Sequence, residues 1–281
     1  MDFCLLSIPW RAIAALGLSA LCVGLSRAGE DVPFVTTPDN VTLEMLRAAQ
    51  VGPGDHVIDL GSGDGRIVIL AAKRFGATGL GVEIVPDLVR QSISNAQAAG
   101  VAGRVSFREQ DLFKTDLAPA TVITMYLLPD VNLQLRPALL SLKPGTRLVS
   151  HDWDMGDWKP DQTTMVVAPD KKVGLEKSSK VHLWLVPAKV DGLWCGAGLL
   201  TGTRLQLSQR YQEIEGTLAH RQRSRKIEGR LEGATLRVLG GRAGELVLEV
   251  AGDGLRITAA GGPLTLAQGQ VFKRAAADGC G

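Results

Sequence analysis

The feature that most constrains the fold of this chain is a glycine-rich turn at residues 57–66, which reads Val-Ile-Asp-Leu-Gly-Ser-Gly-Asp-Gly-Arg. An apolar run leads into the turn, and an apolar stretch that can open a helix follows it from Ile67. A strand, a tight glycine loop and a helix in this order form the nucleotide-binding turn of a doubly wound α/β fold. Glycine permits sharp changes of direction and lets a ligand approach the main chain closely. The turn therefore predicts an α/β domain with a nucleotide-type ligand.

The charges beside the turn discriminate between its candidate ligands. A dinucleotide fingerprint would place Gly or Ala where Arg66 stands,. Asp59 and Asp64 would also repel the pyrophosphate of a dinucleotide at short range. S-adenosylmethionine instead carries an ammonium and a sulfonium group, which carboxylates attract. The acids therefore favour S-adenosylmethionine over NAD as the ligand.

The residues from Asp59 to Gly65, Asp-Leu-Gly-Ser-Gly-Asp-Gly, resemble motif I of the class I S-adenosylmethionine-dependent methyltransferases. This resemblance implies a Rossmann-like α/β fold with a seven-stranded sheet. It also implies a set of donor-binding residues in the turn, namely Asp59, Gly61, Ser62, Gly63 and Gly65.

Two further acidic positions extend the resemblance. Glu83 stands 24 positions after Asp59, at the end of a second predicted strand, and matches motif II of the family. A carboxylate at this place can accept both ribose hydroxyls of the ligand. Asp111 and Leu112 follow a third strand-like run and resemble the pair that contacts the adenine. The three acids in this order predict an S-adenosylmethionine site.

The segment after the predicted fifth strand, residues 150–161, is dense in acids and aromatics: Ser-His-Asp-Trp-Asp-Met-Gly-Asp-Trp-Lys-Pro-Asp. Methyltransferases of adenine, cytosine or glutamine carry an Asn/Asp-Pro-Pro-Tyr/Phe motif after the fourth strand, where residues 125–130 here read Met-Tyr-Leu-Leu-Pro-Asp. Together with Pro-Phe-Val at 33–35 and the glycine turn, this pattern resembles the lysine methyltransferases of the adenine nucleotide translocase and of the ATP synthase c-subunit, with their bacterial relatives. The resemblance covers roughly residues 32–187 and implies methylation of a protein lysine.

Four side chains are candidates for the catalytic groups. Asp152 or Asp154 can orient an incoming lysine ammonium, Tyr126 can line its channel, and His151 can take its proton. A lysine nucleophile must be neutral, and a nearby sulfonium lowers the pKa of the amine by like-charge repulsion. The alternative for His151 and Asp152 is an ordinary capping or hydrogen-bonding role in a loop.

These patterns predict an S-adenosylmethionine-dependent protein-lysine N-methyltransferase, whose substrate can be membrane-associated. The alternatives are a small-molecule methyltransferase with the same donor site, a non-catalytic donor-binding scaffold, and an NAD-dependent reductase. The net charge of +2 implies no obligatory polyanion, so no nucleic-acid partner is expected. The four cysteines and four histidines show no metal-ligand spacing, so no metal is expected either,.

Residues 1–28 predict a signal peptide. Arg11 precedes 14 apolar or small residues at positions 12–25, which is short of the ~20 that a membrane-spanning helix needs,. Ser26-Arg-Ala28 then offers small residues at positions −3 and −1 of a cleavage site. The prediction is export to the periplasm, and the alternative is an uncleaved membrane anchor.

The composition changes at Pro187, which divides the mature chain into two predicted domains. Residues 29–187 alternate strands with helices and form the predicted methyltransferase domain. Residues 188–281 contain short apolar runs separated by glycines, which predict a small β-sandwich or barrel,.

The sequence of the C-terminal domain also predicts its core aromatics, the position of a basic run and the state of its two cysteines. Trp194, Tyr211 and Phe272 are predicted core aromatics. The basic run at residues 220–226, His-Arg-Gln-Arg-Ser-Arg-Lys, is predicted to be a solvated hairpin loop, with phosphate or anionic-lipid contact as the alternative,. Two unpaired thiols are expected, with a disulfide as the alternative, at Cys195 and Cys280.

Overall fold

The computed structural model of the protein describes residues 34–238, 245–276 and 279–280. The predicted leader at residues 1–28 lies outside these ranges. None of the helices in the described ranges has the length and apolar character needed to cross a membrane.

The first part of the described chain forms a seven-stranded mixed sheet in the order β3-β2-β1-β4-β5-β7-β6. The first five strands are parallel, and β7 runs antiparallel to both of its neighbours. In chain order the strands are β1 His56–Leu60, β2 Thr78–Glu83, β3 Val105–Glu109, β4 Val122–Met125, β5 Arg147–His151, β6 Gln162–Val167 and β7 Ser178–Leu185. This architecture confirms the predicted Rossmann-like methyltransferase sheet.

Helices cover both faces of this sheet: α1 Asp39–Ala48, α2 Arg66–Phe75, α3 Pro86–Ala98 and α4 Pro129–Leu139. Neighbouring strand residues point to opposite faces, so Val57 packs with α1, α2 and α3, whereas Ile58 packs with α4. Helix α4 begins at Pro129, because proline is accommodated in the first helical turn,. The carboxyl ends of β1, β2, β4 and β5 meet at one edge, where open α/β sheets bind their ligands.

The C-terminal part forms a closed antiparallel barrel in the order β10-β11-β12-β13-β14-β15-β8-β9. Its strands are β8 Gly192–Gly196, β9 Thr203–Arg210, β10 Glu213–His220, β11 Arg223–Glu232, β12 Thr235–Val238, β13 Leu246–Ala251, β14 Gly254–Ala260 and β15 Val271–Arg274. The predicted all-β domain is therefore confirmed as a barrel. Trp194 and Phe272 are buried in its interior, as predicted.

Two expectations for this domain are wrong. Tyr211 lies in the turn between β9 and β10 and stacks on Trp158 of the sheet domain, with ring centroids 5.9 Å apart, so it is not a barrel core residue. Cys195 and Cys280 are joined in a disulfide bond and are not free thiols. The bond ties the end of the chain to β8.

The barrel contacts the sheet domain through the end that carries the β9–β10 turn. The Tyr211 hydroxyl donates to Asp157 at 3.0 Å, and the Gln212 amide donates to the carbonyl of Lys159 at 2.6 Å. Arg230 pairs with Asp161 at 2.7 Å. The barrel end opposite to this contact is formed by the start of β9 and the end of β10.

Candidate active site

The glycine turn between β1 and α2 has the backbone conformation that its sequence predicts. Gly61, Gly63 and Gly65 have φ values of 73°, 53° and 80°, in the left-handed region that favours glycine,. A Cβ atom at Gly65 would lie 2.7 Å from the Phe107 ring. Any other residue at this position would therefore be strained and would collide with the neighbouring strand.

Side chains of the turn itself and of α3 hold this turn in place, and those of α3 were not predicted from the sequence. Arg66 grips both carboxylate oxygens of Asp64, at 2.9 and 2.7 Å. From α3, the Ser92 hydroxyl donates to the carbonyl of Gly63 at 2.8 Å, and the Asn95 amide donates to that of Asp64 at 2.9 Å. Because Arg66 neutralises Asp64, the attraction of the site for a cation rests on Asp59 and on Glu83 of the next strand.

Asp59 is a buried carboxylate at the end of β1. It accepts a hydrogen bond from the Thr124 hydroxyl of β4 at 2.6 Å. Burial, together with the negative charges of Glu83 and Asp64, raises the pKa of Asp59 to about 7,. A cationic ligand next to Asp59 would favour its ionised form.

Glu83 is buried at the end of β2 and reaches the glycine turn. One oxygen accepts the amide of Gly63 at 2.9 Å, and the other accepts the amides of Ile84 and Val85 at 2.8 and 3.0 Å. These bonds fix the orientation of the carboxylate and join the ends of β1 and β2. Glu83 therefore also stabilises the conformation of the glycine turn, a role that its position in the sequence did not predict.

The remaining predicted donor-binding residues lie near the same edge. The Ser62 hydroxyl is buried and has no hydrogen-bond partner within the described residues. Asp111 accepts the amide of Phe113 at 2.9 Å and so caps a short 3-10 helix that begins at Leu112. The chain from β3 stays beside β2 up to this helix, because the amide of Gln110 donates to the carbonyl of Glu83 at 2.9 Å.

At the end of β5, His151 is completely buried against Tyr126, with ring centroids 3.9 Å apart. The Nδ1 atom of His151 lies 3.2 Å from the Thr37 hydroxyl, and Nε2 lies 2.8 Å from the Ser179 hydroxyl. Burial lowers the pKa of His151 to about 4 against the opposing effect of Asp152. The imidazole is therefore neutral at pH 7, with a partner on each nitrogen.

Asp152 adopts a left-handed backbone conformation, with φ at 63°. Its Oδ1 accepts the amide of Lys180 at 2.9 Å, and its Oδ2 lies 2.8 Å from the ammonium of Lys171 in the β6–β7 loop. Burial alone would raise the pKa of Asp152, but the hydrogen bonds from Lys171 and Lys180 outweigh it and hold the pKa below its usual value. Asp152 is therefore an anion that binds a lysine side chain.

The chain after Asp152 turns away from the sheet edge. Asp154 is exposed and accepts the amide of Gly156 at 3.0 Å. The buried Asn132 amide of α4 donates to the carbonyls of Trp153 and Asp154, both at 3.3 Å. The indole of Trp153 is 43% exposed and remains accessible beside Asp152.

The Trp-Lys-Pro-Asp element at residues 158–161 lies away from this edge. Trp158 is completely buried, and its carbonyl accepts the Trp184 indole at 2.9 Å. Asp161 accepts the amide of Leu185 at 2.8 Å in addition to its ion pair with Arg230. This part of the acidic aromatic segment therefore holds β7 and the barrel.

The structure thus places the predicted donor-binding residues at or after the ends of β1, β2 and β3, and the four predicted catalytic residues at or after the ends of β4 and β5. Sequence reasoning missed Thr124, Lys171 and Ser179, which contact those residues. Lys171 carries no signal in the sequence, because its loop follows a different strand from Asp152 and is brought back by the pairing of β7 with β5.

Comparison with known proteins assigns this arrangement to a family. The family described as the ANTKMT methyltransferase domain matches residues 59–162. A protein-lysine N-methyltransferase of Saccharolobus islandicus (strain REY15A) is 45% identical over 137 residues, which are 48% of this chain and 85% of that protein. The lysine N-methyltransferase of the ATP synthase c-subunit from Mus musculus is 36% identical, over 47% of this chain and 53% of that protein.

A solved structure described as an RNA methyltransferase from Salinibacter ruber, in complex with S-adenosyl-L-homocysteine, is 50% identical to this chain, with a TM-score of 0.50. The match covers 56% of this chain and 96% of that one. Together with the turn geometry, these similarities confirm S-adenosylmethionine as the donor. The chain therefore belongs to the family of S-adenosylmethionine-dependent protein-lysine N-methyltransferases that carry the ANTKMT methyltransferase domain.

Proposed function

We propose that this methyltransferase acts on the side-chain amine of a lysine in a protein substrate. The observation that carries the proposal is the ion pair between Asp152 and Lys171, which are 2.8 Å apart at the carboxyl end of β5. Ligands of open α/β sheets bind at this edge. A carboxylate that is anionic and already holds a lysine ammonium can also receive the lysine of a substrate.

The residues of the glycine turn fit the donor. The buried Ser62 hydroxyl lacks a partner among the described residues, the left-handed glycines leave space that side chains would fill, and Asp59 with Glu83 offers negative charge to a cation. When bound, S-adenosylmethionine supplies a methyl group that its sulfonium has already activated. The donor-binding set that we propose is Asp59, Gly61, Ser62, Gly63, Gly65, Glu83, Asp111 and Leu112.

On the acceptor side, we assign Asp152 to orient the substrate ammonium and the exposed Asp154 to add negative charge at the entrance. Tyr126 lines the path of the lysine. Burial, followed by the charge of Asp152, raises the pKa of the Tyr126 phenol, which therefore stays neutral. His151 supports the Tyr126 ring and acts as a positioning residue, since both of its nitrogens have hydroxyl partners.

The substrate amine must lose a proton before it can attack a carbon atom. Asp152 has a pKa below its usual value, and His151 has a pKa of about 4, so neither is a strong proton acceptor near pH 7. We therefore propose that the proton leaves to water. Turnover then rises with pH, by up to about tenfold per unit, until the substrate lysine itself is mostly neutral.

Replacement of Asp152 by Asn tests this assignment. Asn tolerates the left-handed conformation and keeps an oxygen for the Lys180 amide, so the fold should be retained. Donor affinity should stay almost unchanged, while turnover at pH 7 falls by about 10²-fold, as expected when a positioned polar group is lost. The deficit should ease at higher pH, where more of the substrate lysine is already neutral. Equal turnover of Asp152→Asn and wild type would refute the role of Asp152.

Lys171 offers a complementary variant, because its ammonium competes with the substrate for Asp152. Lys171→Met should lower KM for the protein substrate, whereas Lys172→Met removes a neighbouring exposed charge and should leave KM unchanged. An identical effect of the two substitutions would show that only general charge matters.

RNA is the second candidate acceptor, since a structure 50% identical to this chain carries the description of an RNA methyltransferase. Relatives named as lysine N-methyltransferases of the ATP synthase c-subunit and of the adenine nucleotide translocase support a protein acceptor. We therefore place a protein lysine first, and we propose that the protein which carries it is membrane-associated. Transfer of label from the donor to RNA, and not to protein, would reverse this order.

We also propose that the protein is exported, with residues 29–187 as its catalytic domain and 188–281 as its barrel domain. The apolar core at residues 12–25 and the disulfide between Cys195 and Cys280 support export, since disulfides persist in oxidising compartments,. Mass spectrometry of the protein from its host should find a new N-terminus near Gly29. An intact Met1 on membrane-bound protein would decide for an anchor.

A further inference from the structure

A cavity of about 520 Å³ opens to solvent at the end of the barrel that faces away from the sheet domain. Its wall is formed mainly by apolar side chains, among them Leu218, Leu246, Ile257, Leu264 and Phe272. The volume lies in the range of ~300–1,000 Å³ that is typical of ligand sites, and the mouth of a β-barrel is a common place for them. Neither the donor site nor the acceptor site uses this cavity.

The rim of the cavity is basic on the inner face of the barrel. Along β11, Ile227, Gly229 and Leu231 point inward, and the same two-residue alternation continues outward to Arg225 and Arg223 at the mouth,. The strand register agrees, because Arg225 lies opposite the inward-facing Leu218,. Both arginines line the cavity.

The opposite strand adds polar groups to the same rim. His220 lies directly opposite Arg223, and its Nδ1 is 2.8 Å from the Thr203 hydroxyl. No lining residue in the described part of the chain is acidic, and neither Arg223 nor Arg225 forms a salt bridge there. The inner rim thus presents two guanidinium groups above an apolar interior.

Two leucines that border the cavity are unusually exposed. Leu199 lies in the 3-10 helix Gly198–Leu200 and is 76% exposed, and Leu266 lies in the 3-10 helix Gly262–Ala267 and is 86% exposed. Exposed leucines around an apolar opening extend the surface that an apolar chain can cover.

We propose that the barrel binds a single-chain amphiphile with an anionic head group, such as a long-chain fatty acid or a lysophospholipid. The acyl chain occupies the apolar interior, and the carboxylate or phosphate accepts hydrogen bonds from Arg223 and Arg225 at the rim. An anion is required because a cationic head would be repelled by both guanidinium groups. The cavity accepts one flexible chain, which distinguishes this ligand from a bilayer surface.

Calorimetry with the full-length protein tests the proposal, using sodium palmitate, hexadecanol and hexadecyltrimethylammonium below their aggregation concentrations. Palmitate should bind with 1:1 stoichiometry, the alcohol more weakly, and the cationic amphiphile not at all. Shortening the fatty acid should weaken binding by up to about fourfold per methylene removed, as expected for apolar burial. Lysophosphatidate in place of palmitate distinguishes a phosphate from a carboxylate head.

Two matched double variants distinguish the effect of the rim arginines on binding from the effect of overall positive charge. Arg223→Gln with Arg225→Gln should weaken palmitate binding by at least about tenfold, since charge-assisted hydrogen bonds are lost. Arg204→Gln with Lys226→Gln removes the same charge from exposed positions that alternate with the inward-facing ones, and should leave binding unchanged. Thermal unfolding of each variant at the temperature of the wild type shows that both are folded.

The proposal is wrong if palmitate does not bind to the wild type, if the anionic and cationic amphiphiles bind with equal affinity, or if the two double variants lose the same affinity. Binding to anionic vesicles without any binding of the monomeric lipid would likewise reject an internal site and assign the basic rim to a membrane surface.

Discussion

At the scale of single residues, Asp59 shows how a ligand site can oppose stability. Its carboxylate is buried next to Glu83, and its pKa rises to about 7 as a result. Because the folded-state pKa exceeds the ordinary value of 3.8, the stabilising effect of protonated Asp59 is fully present below about pH 4 and is lost as the pH rises through about 7,. The site therefore retains a buried carboxylate that destabilises the ligand-free protein when ionised but attracts a cationic donor.

Replacement of Asp59 by Asn should therefore separate stability from binding. The Asn oxygen can still accept the Thr124 hydroxyl, and no charge is buried. We expect the unfolding midpoint of the ligand-free protein at pH 8 to rise by at least about 2–4 °C, which corresponds to about 1 kcal/mol for a chain of this size. Scanning calorimetry measures this shift.

The same residue predicts the pH dependence of donor binding. The donor ammonium favours ionised Asp59, so affinity should fall by up to about tenfold per pH unit below pH 7 and level off above it. Isothermal calorimetry with S-adenosylhomocysteine at pH 6 to 8 measures the effect. In Asp59→Asn the donor affinity should be weaker and independent of pH. If the variant instead shows the same pH dependence as the wild type, that dependence comes from another group.

At the scale of secondary structure, periodicity and turn residues predicted the alternation of strands and helices before Pro187 and an all-β C-terminal domain, with a sandwich and a barrel as alternatives. They failed for residues whose position depends on contacts between segments that are distant in the sequence. Tyr211 is a large aromatic residue of the kind found in barrel cores, but it lies in a turn and packs against Trp158 of the sheet domain. Cys195 and Cys280 are 85 positions apart, and only the closure of the barrel through β8 and β15 brings them together.

The disulfide should stabilise the barrel. Closing a long loop in the unfolded chain contributes typically about 2–4 kcal/mol. We expect Cys280→Ser to lower the denaturant midpoint of barrel unfolding, and the reduced wild type to match the variant. Donor affinity should be unchanged, because the glycine turn lies in the sheet domain. A denaturant midpoint that changes neither on reduction nor in Cys280→Ser would contradict a stabilising disulfide.

At the scale of the whole molecule, one segment connects the proposed acceptor site with the barrel. Residues 152–161 begin at the carboxylate that holds Lys171 and end at Asp161, which pairs with Arg230 of the barrel. The conformation of the glycine turn could be predicted from the sequence, because motif I is local and glycine dictates its backbone angles,. The proposed acceptor side depends on contacts of Lys171, Ser179 and Thr37, which come from three separate segments, so local patterns could not predict it.

Transfer of a methyl group from S-adenosylmethionine to a protein lysine can be tested directly. The purified protein is incubated with isotope-labelled donor and with the envelope proteins and RNA of its host, and the products are digested and analysed by mass spectrometry. We predict label on lysine side chains of a protein, at a rate that increases with pH and falls about 10²-fold in Asp152→Asn. Label confined to RNA or to small molecules, or binding of the donor without transfer, would contradict the claim.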